Sequence, residues 1–415
     1  MPCNGLRLLD RLGVYNELVR RAATTTTGTL YSSRGEPLGD ISLGLWSAKQ
    51  TGYAALRVRR TDLMDVLATA VLDEGIPVHY GKRLTAINDS NASNNGHHGQ
   101  VEVVFADGTS DTADMLLGCD GIHSAVRSLY VDPAVVPEYT GISTMYGFVS
   151  TSDLPPSSIT NVHGATFTPH GLFGVIPCTA AGDVLYWLLS YEVPIPSASS
   201  STSADTATAT ASRDGWEEHA GNAEDSFKSI LLSILSCTPS TSPWGKLMRD
   251  VVDATKTVKF FPVFRIPPPS PSSSSATFNR NVQTTWFRGR CLLLGDAAHA
   301  ISPHVGQGVS QALEDVFLLS RLLLLAQPNA TPPPEKMSLA TVFEKFTHIR
   351  RPRVDRFSRQ ATSRGNQRRQ TGPWAHWARE LLFWVALTIY RWTGAANWGL
   401  GEADVVYDID EVEIT

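Results

Sequence analysis

RCLLLGDAAHAISPHVGQGVSQALEDVFLLSRLLLL, residues 290–325, decides the fold. The run from Cys291 to Leu294 is apolar, closed by Gly295 and too short for a helix, so it predicts a buried strand. Asp296 stands at its end. After a loop containing Pro303, Gly306-Gln307-Gly308 opens a segment whose apolar residues fall at Val309, Ala312, Leu313, Val316, Phe317 and Leu319. That spacing predicts a helix. Strand, acid, glycine-rich loop and helix start together place one carboxylate and several backbone N–H groups around a small space, because a helix leaves its first N–H groups without internal partners. Such a space suits a polyol beside an electron-rich ring.

A second run, Met115 to Cys119, ends in Asp120-Gly121. Ser124 is placed to cap the next helix, with Arg127 about one turn further on. Other segments predict a helix from Leu63 to Leu72, capped by Thr61 or Asp62, and one or two strands within 28–48. Strands are expected at 78–87, 101–105, 171–177, 184–189 and 260–264. His97 and His98 lie in a polar insert, 88–99, with no third ligand at metal spacing, so it reads as a solvated loop and no metal site is expected. The Ser/Thr/Ala/Pro tracts 195–212 and 267–276 read as flexible surface inserts, and 328–334 as a loop.

Composition narrows the function. The 415 residues, 42% hydrophobic and 18% charged, predict a globular chain of two or three lobes. A net charge of -5 without a basic block excludes a nucleic-acid partner. Five scattered cysteines read as reduced core thiols. There is no secretory signal, and no run reaches the roughly 18 apolar residues of a membrane span, so a cytoplasmic location is expected and the sequons at Asn91 and Asn329 read as chance. The basic run 350–369 predicts a solvated helix face. Trp374, Trp377, Trp384, Trp392 and Trp398 are half of the ten tryptophans. The segment Leu381 to Tyr390 around them is expected to pack on the core as a buried helix, with peripheral membrane contact through this aromatic tail as the other reading.

Residues 295–315, GDAAHAISPHVGQGVSQALED, resemble the second FAD-binding motif of the flavoprotein aromatic hydroxylases, the para-hydroxybenzoate hydroxylase and salicylate hydroxylase group. Asp120-Gly121-Ile122-His123-Ser124-Ala125-Val126-Arg127 resembles the same family's Asp-Gly-x-x-Ser-x-Val-Arg motif. The resemblance implies an α/β fold: a Rossmann-like FAD-binding domain interleaved with an α+β substrate domain on a mostly antiparallel sheet. The expected division is 1–140 and 266–350 for the FAD-binding domain, 141–265 for the substrate domain, and 351–415 for a helical, aromatic tail.

By the same resemblance Asp296 holds a ribityl or ribose hydroxyl, and Gly308 and Val309 face the pyrimidine edge of the flavin. A helix dipole there stabilises negative charge by about 0.3–1 kcal/mol. Asp120 organises the loop around FAD, and Arg127 serves a phosphate or an internal carboxylate. Arg60 matches the arginine of a His-Arg-x-x-Leu pattern that lies against FAD, with Arg59 in place of the usual His. The implied activity is hydroxylation of a small aromatic, enolic or polyketide-like molecule, in secondary metabolism. NADPH or NADH reduces FAD, and O2 reacts through a flavin hydroperoxide. No catalytic residue is assigned, although Tyr146, His163 and His170 are candidates for deprotonating a phenol. A flavin halogenase is disfavoured, since Trp-x-Trp-x-Ile-Pro is absent.

One departure stands out. The family normally opens with a strand and a Gly-x-Gly-x-x-Gly turn that seats the FAD pyrophosphate. Here residues 2–13 resemble instead the helix after the second strand, so the expectation is that roughly forty to fifty N-terminal residues of the pattern are missing. That leaves a catalytically inactive relative, acting in binding or regulation, as the alternative.

Overall fold

The structure, a computed structural model, describes residues 1–89, 99–160, 162–194, 224–267, 284–326 and 337–414. The insert with His97 and His98, both sequons, the tract 195–212 and the loop 328–334 lie outside the described residues, as does the tract 267–276 beyond Pro267. The chain forms two compact units. One comprises Met1–Glu74, Gly141–Val263 and Arg364–Tyr407; the other comprises Gly75–Thr140, Phe264–Ser363 and Asp408–Thr415.

The first unit is built on a seven-stranded sheet. Its order is Lys259–Arg265, Glu138–Ser150, Val184–Glu192, Gly171–Pro177, Gly164–Thr168, Thr27–Tyr31 and Pro37–Ser42. From Glu138–Ser150 to Gly164–Thr168 successive neighbours are antiparallel, with Val184 opposite Ser150 and Gly171 opposite Tyr191. Period-two alternation sends Met145, Val149, Phe173, Val175, Leu185, Trp187 and Leu189 to one face. There they pack with Leu231 and with Leu247, Met248 and Val251, from the helices Glu224–Leu235 and Pro243–Asp253. Each such side chain contributes about 1.5–3 kcal/mol by leaving water. The buried indoles keep polar partners: Trp187 Nε1 donates to Thr255 Oγ1 at 2.7 Å, and Trp244 Nε1 to Thr166 Oγ1 at 2.5 Å.

Residues 1–74 belong here rather than wholly with 75–140, because Thr27–Tyr31 adds to the sheet parallel to Gly164–Thr168. The 28–48 segment yields two strands and also a helix, Leu45–Thr51. The helix expected from Leu63 to Leu72 spans Arg60–Asp73. The helix Pro373–Thr393 packs on Pro37–Ser42 through one side only. Its tryptophans are exposed, which corrects the expected buried helix. No helix among the described residues is long and apolar enough to cross a membrane.

In the second unit, Leu84–Asp89, Val101–Phe105 and Ser110–Ala113 form an antiparallel layer. The strand expected at 78–87 starts only at Leu84, where pairing with Phe105 begins; Val78 and Tyr80 are exposed. A second small sheet decides the site. Cys291–Leu293 lies between Phe287–Arg288 and Leu116–Gly118, and pairs in parallel with the latter, Cys291 opposite Leu116 and Leu293 opposite Gly118. All five cysteines are free thiols, but only Cys3, Cys178 and Cys291 are buried; Cys119 and Cys237 are exposed, so not all are core thiols.

Candidate functional site

Parallel pairing brings the carboxyl ends of Leu116–Gly118 and Cys291–Leu293 out side by side, and each leads directly to an aspartate, Asp120 and Asp296. Leu294 N–H donates to Gly118 O at 3.0 Å, which extends the pairing to the edge of both turns. Gly295 has φ +56, and a Cβ there would stand 3.0 Å from Ala312 Cβ. Only glycine lets this turn approach the helix Gly308–Leu325 so closely. Asp296 is exposed between buried Gly295 and buried Ala297. A Cβ on Gly308 would stand 3.9 Å from Asp296 Oδ1, so the carboxylate borders the first helical residue. The helix start carries no side-chain cap, Val309 is 42% exposed, and the buried hydroxyl of Ser310 has no hydrogen-bond partner. Asp296, Gly308 and Val309 are thus brought together as a carboxylate beside an uncapped helix start whose first residue is glycine.

Asp120 acts locally. Its Oδ2 accepts from Ala125 N–H at 2.6 Å and Val126 N–H at 3.1 Å, while Ser124 Oγ caps Arg127 N–H at 2.9 Å. Arg127 is buried. Its Nη1 donates to Ala297 O at 2.6 Å and its Nη2 to Ile122 O. These two carbonyls make the guanidinium a strap from one aspartate turn to the other, while its buried Nε has no hydrogen-bond partner. Burial pushes its pKa down, against the pull of Asp120 and Asp132. Arg60 lies in the first unit, exposed at the start of Arg60–Asp73, and the cluster described here is built without it. Its neighbour Arg59 is the one tied down, bidentate to Asp62 at 2.7 and 2.9 Å.

Beneath the helix start lies an ion network that the sequence reading missed. Asp315, fully buried, accepts from Gly295 N–H at 2.8 Å, pairs with His299 Nε2 at 2.7 Å and with Arg350 Nε at 2.7 Å. Arg350 also reaches Glu314 Oε2 at 2.6 Å and Gln311 Oε1 at 2.7 Å. Arg353 grips Glu314 through two bonds, 2.7 and 2.8 Å. Burial raises the Asp315 pKa, but His299, Arg350 and the bonds from His299 and Gly295 outweigh it and hold the carboxyl at about 2. A buried charge costs several kcal/mol unless its lone pairs and protons are met, and here they are met on every side. The expectation of a solvated face for 350–369 is therefore corrected at Arg350, which is 0% exposed. Two adjacent acids, Glu314 and Asp315, inside an apolar helix were the available signal: at those positions they demand buried cations.

The first unit offers a second, aromatic surface. On the sheet face opposite the core, Tyr146, Phe148 and Tyr186 meet with ring centroids 5.4–6.2 Å apart. Burial pushes the Tyr186 phenol up to about 12, with nearby Arg57 working against it. Arg57, which no sequence signal marked, has its own pKa lowered by burial. His163 Nδ1 lies 3.2 Å from Thr27 O, and burial lowers its pKa, partly offset by that contact. His170 sits exposed in the hairpin turn between Thr168 and Gly171, away from this face.

A family model described as "FAD binding domain" matches residues 2–225 and 261–332. The chain is 27% identical over 369 residues to a 3-amino-4-hydroxybenzoate 2-monooxygenase of Streptomyces platensis, covering 88% of this chain and 76% of that one. It is 27% identical over 323 residues to a 6-hydroxynicotinate 3-monooxygenase of Pseudomonas fluorescens, covering 77% and 70%. Among solved structures, Klebsiella pneumoniae HpxO complexed with FAD and uric acid superposes with a TM-score of 0.69 at 19% identity, covering 98% of this chain and 86% of that one. A salicylate hydroxylase substrate complex gives 0.64 at 20% identity, covering 98% and 90%. Both structures share the fold.

Proposed function

The chain belongs to the FAD binding domain family and is an FAD-dependent monooxygenase of the aromatic hydroxylase type, and from that premise we propose that it hydroxylates a small phenol-like or polyketide-like molecule with NADPH or NADH as reductant. Overall, one atom of O2 enters a ring or enolic carbon, the other leaves as water, and the reduced nicotinamide is oxidised. Bound FAD supplies hydride acceptance and oxygen activation. The chain's own residues fit the flavin end of that cofactor: an exposed carboxylate beside an uncapped helix start whose first residue, Gly308, carries no side chain.

In this reading Asp296 accepts a hydrogen bond from a ribityl or ribose hydroxyl. Gly308 and Val309 offer backbone N–H groups to the pyrimidine edge, where the helix dipole favours negative charge. Arg127 and Asp120 fix the spacing of the two turns. The face of Tyr146, Phe148 and Tyr186 receives the substrate ring. Tyr186, kept protonated by burial, donates a hydrogen bond, Arg57 favours the phenolate, and His163, neutral at pH 7, takes the phenol proton. The relatives named for hydroxylated aromatic acids and a hydroxylated N-heterocycle support this substrate class.

The observation that carries the reading is the contact between Asp296 and the start of Gly308–Leu325, on a chain that matches the family over most of its length. The test is direct. The purified protein is expected to be yellow or to turn yellow with FAD, and to consume O2 in step with NADPH or NADH when a phenolic substrate is added. A colourless protein that takes up no FAD overturns the reading.

A further inference from the structure

The helix Pro373–Thr393 is docked to its own unit by one side. Arg379 Nη2 donates to Thr168 O at 3.0 Å, Glu380 accepts from Ser33 N–H, Phe383 stacks on Phe167 at 5.2 Å, and Leu387 sits where a Cβ on Gly39 would meet it at 2.9 Å. The opposite side faces solvent and is apolar from end to end. Trp374 is 84% exposed, Leu382 68%, Ile389 56% and Trp392 89%, with Trp377 and Trp384 more than half exposed between them. The charged residues of the helix are Arg379, Glu380 and Arg391: the first two are spent on the inward contacts, and Arg391 stands in the last turn. From Trp374 to Trp392 the apolar strip is about 27 Å long at 1.5 Å per residue. A strip of that size is far more than isolated surface apolar residues account for.

We propose that this strip lies flat on a phospholipid surface bearing anionic headgroups, so that the protein is a peripheral membrane protein. Trp374 and Trp392 mark the two ends of the strip and Trp377 and Trp384 one flank, while Leu381 and Val385 occupy the middle; indoles at the boundary around aliphatic side chains are what a headgroup–acyl interface selects. Arg379 and Arg369 are held by Thr168 O and Glu192, but Arg364 and Arg391 stand exposed beside the strip's element in a chain whose net charge is -5, which complements anionic headgroups. A protein partner fits less well, because protein interfaces carry about one hydrogen bond per 100–200 Å² and this face offers only indole N–H groups and Thr388. With no spanning helix among the described residues, flat binding is the geometry that uses the whole face.

Flotation of the full FAD-loaded protein with phosphatidylcholine vesicles, with and without phosphatidylserine, tests the proposal. The wild type is expected to float with the serine-containing vesicles, and the Leu382→Glu, Ile389→Glu double variant to show about a tenfold lower bound fraction with its flavin absorbance intact. Vesicles of brominated phosphatidylcholine mixed with phosphatidylserine are expected to quench wild-type tryptophan fluorescence, a readout that does not depend on the variant folding. Absence of flotation, equal flotation of the two proteins, or absence of quenching overturns the proposal. So does a concentration-dependent dimer that the double variant dissolves without any vesicle binding, since the strip then belongs to a second copy of the chain.

Discussion

At the scale of single residues, Asp296 and Asp315 divide the work of one helix between them. Asp296 faces outward beside Gly308, so its replacement by alanine removes a charged acceptor without opening the core. Hydrogen bonds to charged groups are worth about 1.5–3 kcal/mol, and Asp296→Ala is expected to weaken FAD binding by roughly 10- to 100-fold, measured by flavin fluorescence titration. Asp315 holds the scaffold. Its folded pKa of about 2 lies below its unfolded value, so its contribution to stability is fully present above the unfolded value and is lost as pH falls through the folded one. The contribution is roughly 2 kcal/mol, lost between about pH 5 and pH 1, and Asp315→Asn is expected to flatten that acid limb in urea denaturation at stepped pH. Arg350→Met leaves both Asp315 and Glu314 short of a partner and is expected to cost about 3–5 kcal/mol in the same assay. The outward aspartate was legible in the sequence because it closes a strand. The inward one left only the signal of two adjacent acids inside an apolar helix; its partner was not legible, because Arg350 reaches it from another helix, and pairing across that chain separation leaves no local period to read.

At the scale of elements, the helix Gly308–Leu325 and the helix Pro373–Thr393 show how far the period of apolar residues carries. The first was legible as a helix with a glycine-rich start, yet its first half turns Ser310, Gln311, Glu314 and Asp315 inward and leaves Val309 and Val316 exposed; only from Leu318 on do apolar residues face the core. The second is apolar on its outward side and places polar groups, His376, Arg379 and Glu380, inward. Apolar residues read from sequence as core, so the rule inverted it. The same contrast makes Gly308 a discriminating position. It is the first helical residue, and an added Cβ meets only Asp296 Oδ1, at 3.9 Å, so alanine costs nothing in packing and gains part of the helix propensity difference, which is about 1 kcal/mol in a helix interior. Gly308→Ala is therefore expected to keep or raise thermal stability while weakening FAD retention, read as flavin lost on gel filtration. A variant that melts higher and holds FAD as tightly as wild type would place the flavin elsewhere.

At the scale of the whole molecule, the chain passes repeatedly between two units, each with its own buried residues: Trp187, Trp244 and Phe173 in the first, Leu292, Leu322 and Phe346 in the second. Asp296, Gly308, Arg127 and the network around Asp315 all lie in the second. A ligand that binds only the native form of a unit stabilises it by about 2.7 kcal/mol when present at a hundredfold excess over its dissociation constant. For a unit of this size that corresponds to a rise of about 5–10 °C in melting temperature. Calorimetric scans at increasing FAD are expected to resolve two transitions, of which one climbs with FAD and the other stays within a degree or so. The tryptophans identify which is which. Trp286, set 5.0 Å from the His299 ring, is the second unit's tryptophan among the described residues, and the rest belong to the first, so Trp286→Phe should remove the fluorescence change from the climbing transition alone. If both transitions climb together, the units unfold as one cooperative block, and the cofactor stabilises the aromatic sheet of the first as much as the helix start of the second.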